Sequence, residues 1–257
     1  MDKLHIVKVG GNVIENKKII QSFLVDFSKL RGHKILVHGG GKEASKISQK
    51  LGILVQMING RRITDAANLE IITMLYAGKI NKNIVGQLQA IQCNALGLSG
   101  ADGNSFLAKK RSPKPIDFGF VGDVTKVNTS FFKILIDQGI TPVCCAISHD
   151  GAGQLLNTNA DTIAATLAGS MATEFEVTLS YCFEKNGVLE DIENESSLIP
   201  KIDLKTYKSM IKKGSIHSGM LPKMENCFNA LRKGVNQVRI GSPKIIKKYV
   251  PHTKIEL

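Results

Sequence analysis

Two glycine runs end strand-like segments beside a lysine: Lys8-Val9-Gly10-Gly11 and Val37-His38-Gly39-Gly40-Gly41-Lys42. Glycine turns tightly and has no Cβ to hold a ligand off, so backbone N–H groups can face it closely. Such N–H groups at a strand end, next to an ammonium, suit a phosphate. Lys8 with Gly10 and Gly11 reads as a cradle for a phosphoryl group, though a lysine there also fits a plain strand face. Arg62 offers the planar fork that binds a carboxylate bidentately, with its neighbour Arg61 facing solvent. Asn157, Asn159 and Asp161 alternate, and in an extended segment all three would point to one side. An N-cap role for Asp161 is the competing reading. Lys223 follows Pro222 in the first turn of a predicted helix, where its charge adds to the positive N-terminal field. That placement is poor for the helix and useful against phosphate.

Other chemistries fit less well. The GxxxxGK[ST] loop is absent, which argues against a Walker-type NTPase. Gly39 to Ala44 satisfies G-x-G-x-x-A, with Asp65 about 20 residues on, as a dinucleotide site would require. Asp65, however, opens a predicted helix instead of ending a second strand. His38, His149 and His217 lack ligand spacing around them, so no metal site is expected and they read as loop or supporting histidines. Cys93, Cys144, Cys145, Cys182 and Cys227 are odd in number and scattered among apolar neighbours, as buried thiols would be. The formal charge is +12, but there is no Trp and aromatics are 5%. Charge without a stacking platform points to small anions and away from nucleic acid. No apolar run approaches the ~18–20 residues of a membrane helix. The amino terminus enters a strand pattern at once, leaving no room for a signal peptide, so a cytoplasmic location is expected.

The elements that must position these groups alternate. A strand over 4–9, an amphipathic helix over 16–31, a strand at 35–37 and a helix from Gly41 to about Leu51 open the chain. An extended segment over 55–64 and a long helix over 65–90 follow. Short strands broken by glycine and proline occupy 96–123 and read as a hairpin wall. A helix over 130–138, a buried strand over 140–147 and a helix over 160–171 come next. Beyond that lie a strand over 175–180, helices near 203–213 and 220–233, and a strand over 237–240. This rhythm predicts an α/β fold, a mostly parallel central sheet sandwiched by helices, in two lobes of residues 1–170 and 171–257. The ligand site belongs at the carboxyl ends of the strands.

With KVGG at 8–11, VHGGGK at 37–42, NGRRIT at 59–64, GFVGDV at 119–124, LLNTNAD at 155–161 and GMLPK at 219–223, the chain resembles the amino-acid kinase family over its whole length. Carbamate kinases, aspartokinases and uridylate kinases share the glycine loops without the Arg62 and Asn157 segments in this form. The resemblance implies a carbamate kinase-like fold and transfer of the γ-phosphoryl of ATP, with Mg²⁺ carried on the nucleotide, to the side-chain carboxylate of an N-acylated glutamate. It leaves the acyl group open between acetyl and succinyl. It implies that Lys8, Lys223 and Asp161 are catalytic, with Asp161 holding both lysines. Gly40, Gly41, Arg62 and Asn157 would bind the acylated glutamate. Gly10, Gly11 and Asn159 would meet the phosphoryl group, helped by the Gly40 N–H. Ser180, Ser215, His217 and Gly219 would lie on the nucleotide side. The first lobe would bind the acceptor and form a homodimer through the 65–90 helix, and the second would bind nucleotide. The short run before Lys8 leads to the expectation of an arginine-insensitive dimer. Two departures concern the nucleotide side: Leu179 to Leu189, with extra residues and no aspartate, stands where relatives usually have an Asp-Val, and Ser218 stands where they more usually have an acid. A non-catalytic metabolite sensor on the same fold is the alternative those departures raise.

Overall fold

The computed structural model describes residues 1–58, 60–191, 193–212, 214, 220–247 and 250–257. The chain forms two compact units, one of residues 1–34 with 164–257 and one of 35–163. The boundary expected near 170 therefore falls at 163/164, and the first 34 residues group with the carboxyl-terminal part. A parallel strand pairs with partners far away in sequence, so periodicity alone cannot reveal such grouping.

The chain begins with β1 (Lys3–Val9), α1 (Gly11–Glu15) and α2 (Lys17–Ser28). Ile20, Phe23, Leu24 and Phe27 recur at spacings of three, one and three and form the buried stripe of α2, whose start is capped by the Asn16 carboxamide. Next come β2 (His33–His38), which crosses into the second unit at residue 35, then α3 (Gly41–Lys50), β3 (Gln56–Ile58), β4 (Arg61–Ile63) and α4 (Ala66–Thr73). Asp65 caps α4 by accepting from the Asn68 N–H, as a helix-opening aspartate should. The predicted 65–90 helix is continuous but not uniform. Residues Met74–Ile80 wind as a π-helix before α5 (Asn81–Ala90).

There follow β5 (Ala95–Leu98), β6 (Phe106–Lys110), β7 (Gly122–Val127), α6 (Thr129–Asp137), β8 (Thr141–Cys145), β9 (Ile147–His149), β10 (Leu155–Asn157) and α7 (Ala160–Met171). β2, β8 and β5 lie side by side and parallel. Every residue of β8 is buried, as a strand covered on both faces requires. The single strand expected over 140–147 is divided. β8 ends at Cys145, and Ile147–His149 pairs with β10 in a second sheet ordered β10-β9-β6-β7. The Ala146 carbonyl at the break accepts from the Thr158 N–H. The 96–123 wall is realised partly as expected, by the β6–β7 antiparallel pair with its bulge at Leu107/Ala108, whereas β5 is a parallel strand beside β8.

Back in the first unit come β11 (Glu176–Cys182), β12 (Lys201–Ile202), α8 (Leu204–Lys212), α9 (Leu221–Arg232), β13 (Gln237–Gly241) and β14 (Thr253–Ile255). The strand order is β12-β14-β13-β11-β1, parallel except for β13 with β14. β11 extends two residues beyond the expected strand end, so Tyr181 and Cys182 are buried ladder residues. No helix among the described residues is long and apolar enough to cross a membrane.

Candidate active site

In the 35–163 unit the site is organised by the glycine loop that joins β2 to α3. Gly40 stands at the N-cap position of α3 and no side chain caps it, so the positive end of the helix stays open. The loop rests on the π-helical turn. A Cβ on Gly40 would lie 2.3 Å from Ile80 Cδ1 and 2.9 Å from the Tyr76 ring, so only glycine fits. His38 fixes the loop from within the core. The Asn81 amide donates to His38 Nε2 (3.0 Å) and to the Val143 carbonyl (2.9 Å). An amide nitrogen only donates, so Nε2 accepts and Nδ1–H donates to the Gly39 carbonyl at 2.9 Å. Burial pushes the His38 pKa down to about 4, which keeps the ring neutral.

Arg62 is 7% exposed, whereas Arg61 is exposed as expected. Its Nη2 donates to the Gly41 carbonyl (2.9 Å) and to Ser45 Oγ (2.6 Å), while its buried Nη1 has no hydrogen-bond partner. Burial lowers the guanidinium pKa, opposed by the nearby Tyr76 phenol. A buried guanidinium with donors still open is costly unless an anion completes it. Asn157 reaches the same edge. Its Nδ2 donates to Thr64 Oγ1 at 3.0 Å, and the Asn157 N–H donates to the Phe120 carbonyl at 2.9 Å. Thr64 is held by Phe118 and Phe120 through backbone bonds of 2.9 and 2.7 Å, across a turn at Gly119. Gly40, Gly41, Arg62 and Asn157 thus belong to one connected set.

Asn159 and Asp161 do not extend that set in the way the alternation suggested. Asn159 caps α7, its Oδ1 accepting from the Asp161 N–H (2.8 Å) and the Thr162 N–H (3.1 Å). Asp161 lies in the first turn of the helix. The chain leaves the extended conformation after Asn157, because Asn159 finds its partners in the helix N–H groups. His149 orders its own loop, with Nε2 2.8 Å from Asn104 Oδ1 and Nδ1 accepting from the Gly151 N–H. Among the described residues, no group of His, Cys, Asp or Glu gathers that could hold a metal ion.

In the other unit, Gly10 ends β1 and its N–H donates to the Cys182 carbonyl at 3.0 Å. Gly11 opens α1 with no side chain capping it. Lys8 pairs in register with Tyr181, and Lys223 Nζ lies 5.0 Å from the centre of the Tyr181 ring. The two lysines, far apart in sequence, therefore meet the same end of β11. Lys223 occupies the first turn of α9, where Pro222 fits and no side chain caps the helix. The buried Cys182 thiol is pushed up to about 12, against the opposing pull of Arg239, Lys8 and Lys223. Ser180 is buried and accepts a hydrogen bond from Arg239 Nη2 at 3.3 Å, so its hydroxyl is engaged inside the unit. Ser215, His217 and Gly219 lie outside the described residues.

Sequence reasoning did not find the parts played by Asn81, Tyr76 and Tyr181. Asn81 carried a signal, since it falls on the buried stripe of α5 with Ile84 and Leu88, a polar residue at apolar spacing. Tyr76 carried none, because a π-register cannot be told from a regular helix by periodicity.

Each unit thus carries a strand-end glycine turn that opens a helix without a side-chain cap, one with lysines at its strand end and the other with a buried arginine beside it. Residues 3–242 match the amino acid kinase family, and the chain belongs to it. The acetylglutamate kinase of Cytophaga hutchinsonii is 51% identical over 255 residues, covering 99% of this chain and 97% of that protein. The acetylglutamate kinase of Phocaeicola vulgatus is 50% identical over 255 residues, covering 96% and 99%. The structure of Giardia carbamate kinase superposes with a TM-score of 0.70 at 14% identity, covering 98% of each chain, a likeness of fold alone.

Proposed function

We propose that this chain transfers the γ-phosphoryl group of ATP to the side-chain carboxylate of N-acetyl-L-glutamate, giving N-acetylglutamyl 5-phosphate, the second step of arginine biosynthesis. The names of its half-identical relatives support this reading. Arg62 is the observation that carries it: a buried guanidinium with an open donor, one hydrogen bond from the glycine loop, awaits a carboxylate.

A carboxylate nucleophile is already ionised at neutral pH, so the reaction needs no general base. The difficulty is bringing two anions together, and positive groups answer it. Lys8 counters charge toward the acceptor and Lys223 toward the departing ADP. Gly11, Gly40 and Asn159 serve the phosphoryl oxygens, Gly10 shapes the turn with its own N–H spent on the Cys182 carbonyl, and Gly40, Gly41, Arg62 and Asn157 hold the acylated glutamate. Asp161 completes the catalytic set. The nucleotide arrives with its Mg²⁺ as substrate and meets the segments of Ser180, Ser215, His217 and Gly219. The unit of residues 35–163 takes the acceptor and that of 1–34 with 164–257 the nucleotide, and the working protein is a cytoplasmic homodimer.

The test is kcat/KM with ATP and Mg²⁺ for N-acetyl-glutamate, N-succinyl-glutamate, free glutamate, carbamate and aspartate side by side. N-acetyl-glutamate should lead. A lead for N-succinyl-glutamate would transfer the reaction to that acceptor, and a lead for any of the last three would sink the assignment. Lys8→Ala should lower kcat by ~10²–10³-fold with an unchanged circular dichroism spectrum.

A further inference from the structure

The glycines of the β2–α3 loop let a ligand come close for the same reason that they hold no shape of their own. A peptide between two glycines turns over at little cost, because no Cβ resists either orientation. The Gly39–Gly40 peptide is one of these, and it is held from the core. His38 is fully buried and donates its Nδ1–H to the Gly39 carbonyl at 2.9 Å. That requires the proton on Nδ1, and Asn81 puts it there. The Asn81 amide is fixed from both sides: the Val143 carbonyl accepts from Nδ2 at 2.9 Å, and Oδ1 accepts from Lys82 Nζ at 3.3 Å. The amide nitrogen therefore faces His38 Nε2 at 3.0 Å, and a ring nitrogen that accepts there cannot carry the proton. Burial pushes the ring pKa down to about 4 and so keeps a second proton off.

A trans peptide sets its N–H opposite its carbonyl. With the Gly39 carbonyl turned to the buried ring, the Gly40 N–H points away from it. The Gly40 carbonyl starts α3, accepting from the Ala44 N–H at 3.0 Å, while the Gly40 N–H donates to no backbone group among the described residues. It stands at the start of a helix that no side chain caps. We propose that His38 is a positioning residue, which Asn81 holds in the Nδ1–H form so that it locks the Gly39–Gly40 peptide with the Gly40 N–H presented to the phosphoryl group in transfer. This rests on the kinase reading above. Turned over, the same peptide would offer a carbonyl oxygen to a group that is already anionic.

The test compares the full chain with His38→Asn and His38→Gln. Asparagine carries its amide nitrogen on Cγ, where Nδ1 sits, and can still donate to the Gly39 carbonyl. Glutamine carries it one bond further out, at the distance of Nε2. The Gln variant should lose ~10²-fold in kcat, the size of one lost donor to a developing charge. Its KM for N-acetyl-L-glutamate and for ATP should stay within about threefold, as for an interaction made only in the transition state. The Asn variant should recover most of the loss. Equal kcat in the two variants, whether high or low, overturns the proposal, since the Nδ1–H would then carry no part of the rate. If the Gln variant does not fold, ¹⁵N spectra of the wild type decide the matter. The His38 proton belongs on Nδ1, and the Gly40 amide proton should move downfield when N-acetyl-L-glutamate, ADP, Mg²⁺ and aluminium fluoride are bound. A proton on Nε2, or an unmoved Gly40 amide, overturns the proposal. A wild type without phosphoryl transfer to N-acetyl-L-glutamate fails the kinase reading, while the ring-proton spectrum still decides whether His38 holds the Gly39 peptide.

Discussion

Arg62 is useful because of the way it is held. Both hydrogen bonds come from Nη2, to the Gly41 carbonyl and the Ser45 hydroxyl, and they fix the guanidinium while the buried Nη1 has no hydrogen-bond partner. Lysine keeps the charge but cannot reproduce that fork. Arg62→Lys should therefore raise the KM for the acylated glutamate by ~10–100-fold, the size of one or two lost charge-assisted hydrogen bonds, with a smaller change in kcat. An unchanged KM would mean that the acceptor is bound elsewhere. His38 gives a second residue-level expectation, in stability. Its folded pKa of about 4 lies below the ordinary histidine value of 6.5. The unfolded chain takes up the proton first, so stability is full above pH 6.5 and falls as the pH drops from there toward 4, by up to about 1.4 kcal/mol per pH unit. Denaturant melts of the wild type and His38→Gln between pH 7.5 and 4.5 should show a shallower fall in the variant. His5, also shifted down by burial, is common to both proteins and cancels in the comparison.

At the level of elements, Arg62 and Asn157 come together through the end of β4, the turn at Gly119 and the end of β10. Gly119 has φ +71°, and a Cβ there would lie 2.2 Å from the Thr64 carbonyl oxygen. Both the backbone angle and the space exclude a side chain, and the obstacle is backbone that cannot step aside. Gly119→Ala should cost ~2 kcal/mol or more, read as a lower denaturation midpoint, and should raise the KM for the acylated glutamate because Thr64 moves. A variant with both values intact would show that this turn does not set the site. The GFVGDV segment was visible in the sequence, and so were most helices, because apolar spacing and caps are local properties. What joins the segments was not visible. Asn159 reads as a third member of an alternating polar row until the α7 N–H groups claim its side chain. The strand over 140–147 reads as continuous because both of its sheets bury apolar residues equally well. The π-turn that brings Tyr76 and Ile80 under Gly40 leaves no local mark at all.

At the level of the whole molecule, the sequence yielded the family more readily than the grouping of the chain. Lys8 and Lys223 could be proposed as partners from their motifs alone, but only the β1–β11 register and the Tyr181 ring bring them to one strand end. Assembly is the remaining question, and the second unit offers an argument for it. β5 ends the β2-β8-β5 row, so one side of its backbone has no strand partner in that row. An open edge of this kind invites pairing unless it is covered. Leu96 on β5 is 40% exposed, and Met74, in the helical segment expected to join two copies, is 54% exposed. We expect light scattering behind a sizing column to give twice the 27.9 kDa of one chain. Met74→Glu combined with Leu96→Lys should bring it toward the single-chain value, because charge placed in a shared apolar face must be desolvated. The melting temperature measured at low protein concentration should change little, since both side chains are exposed in the isolated chain. A dimer mass that survives both substitutions would place the contact away from the 65–90 helix and β5.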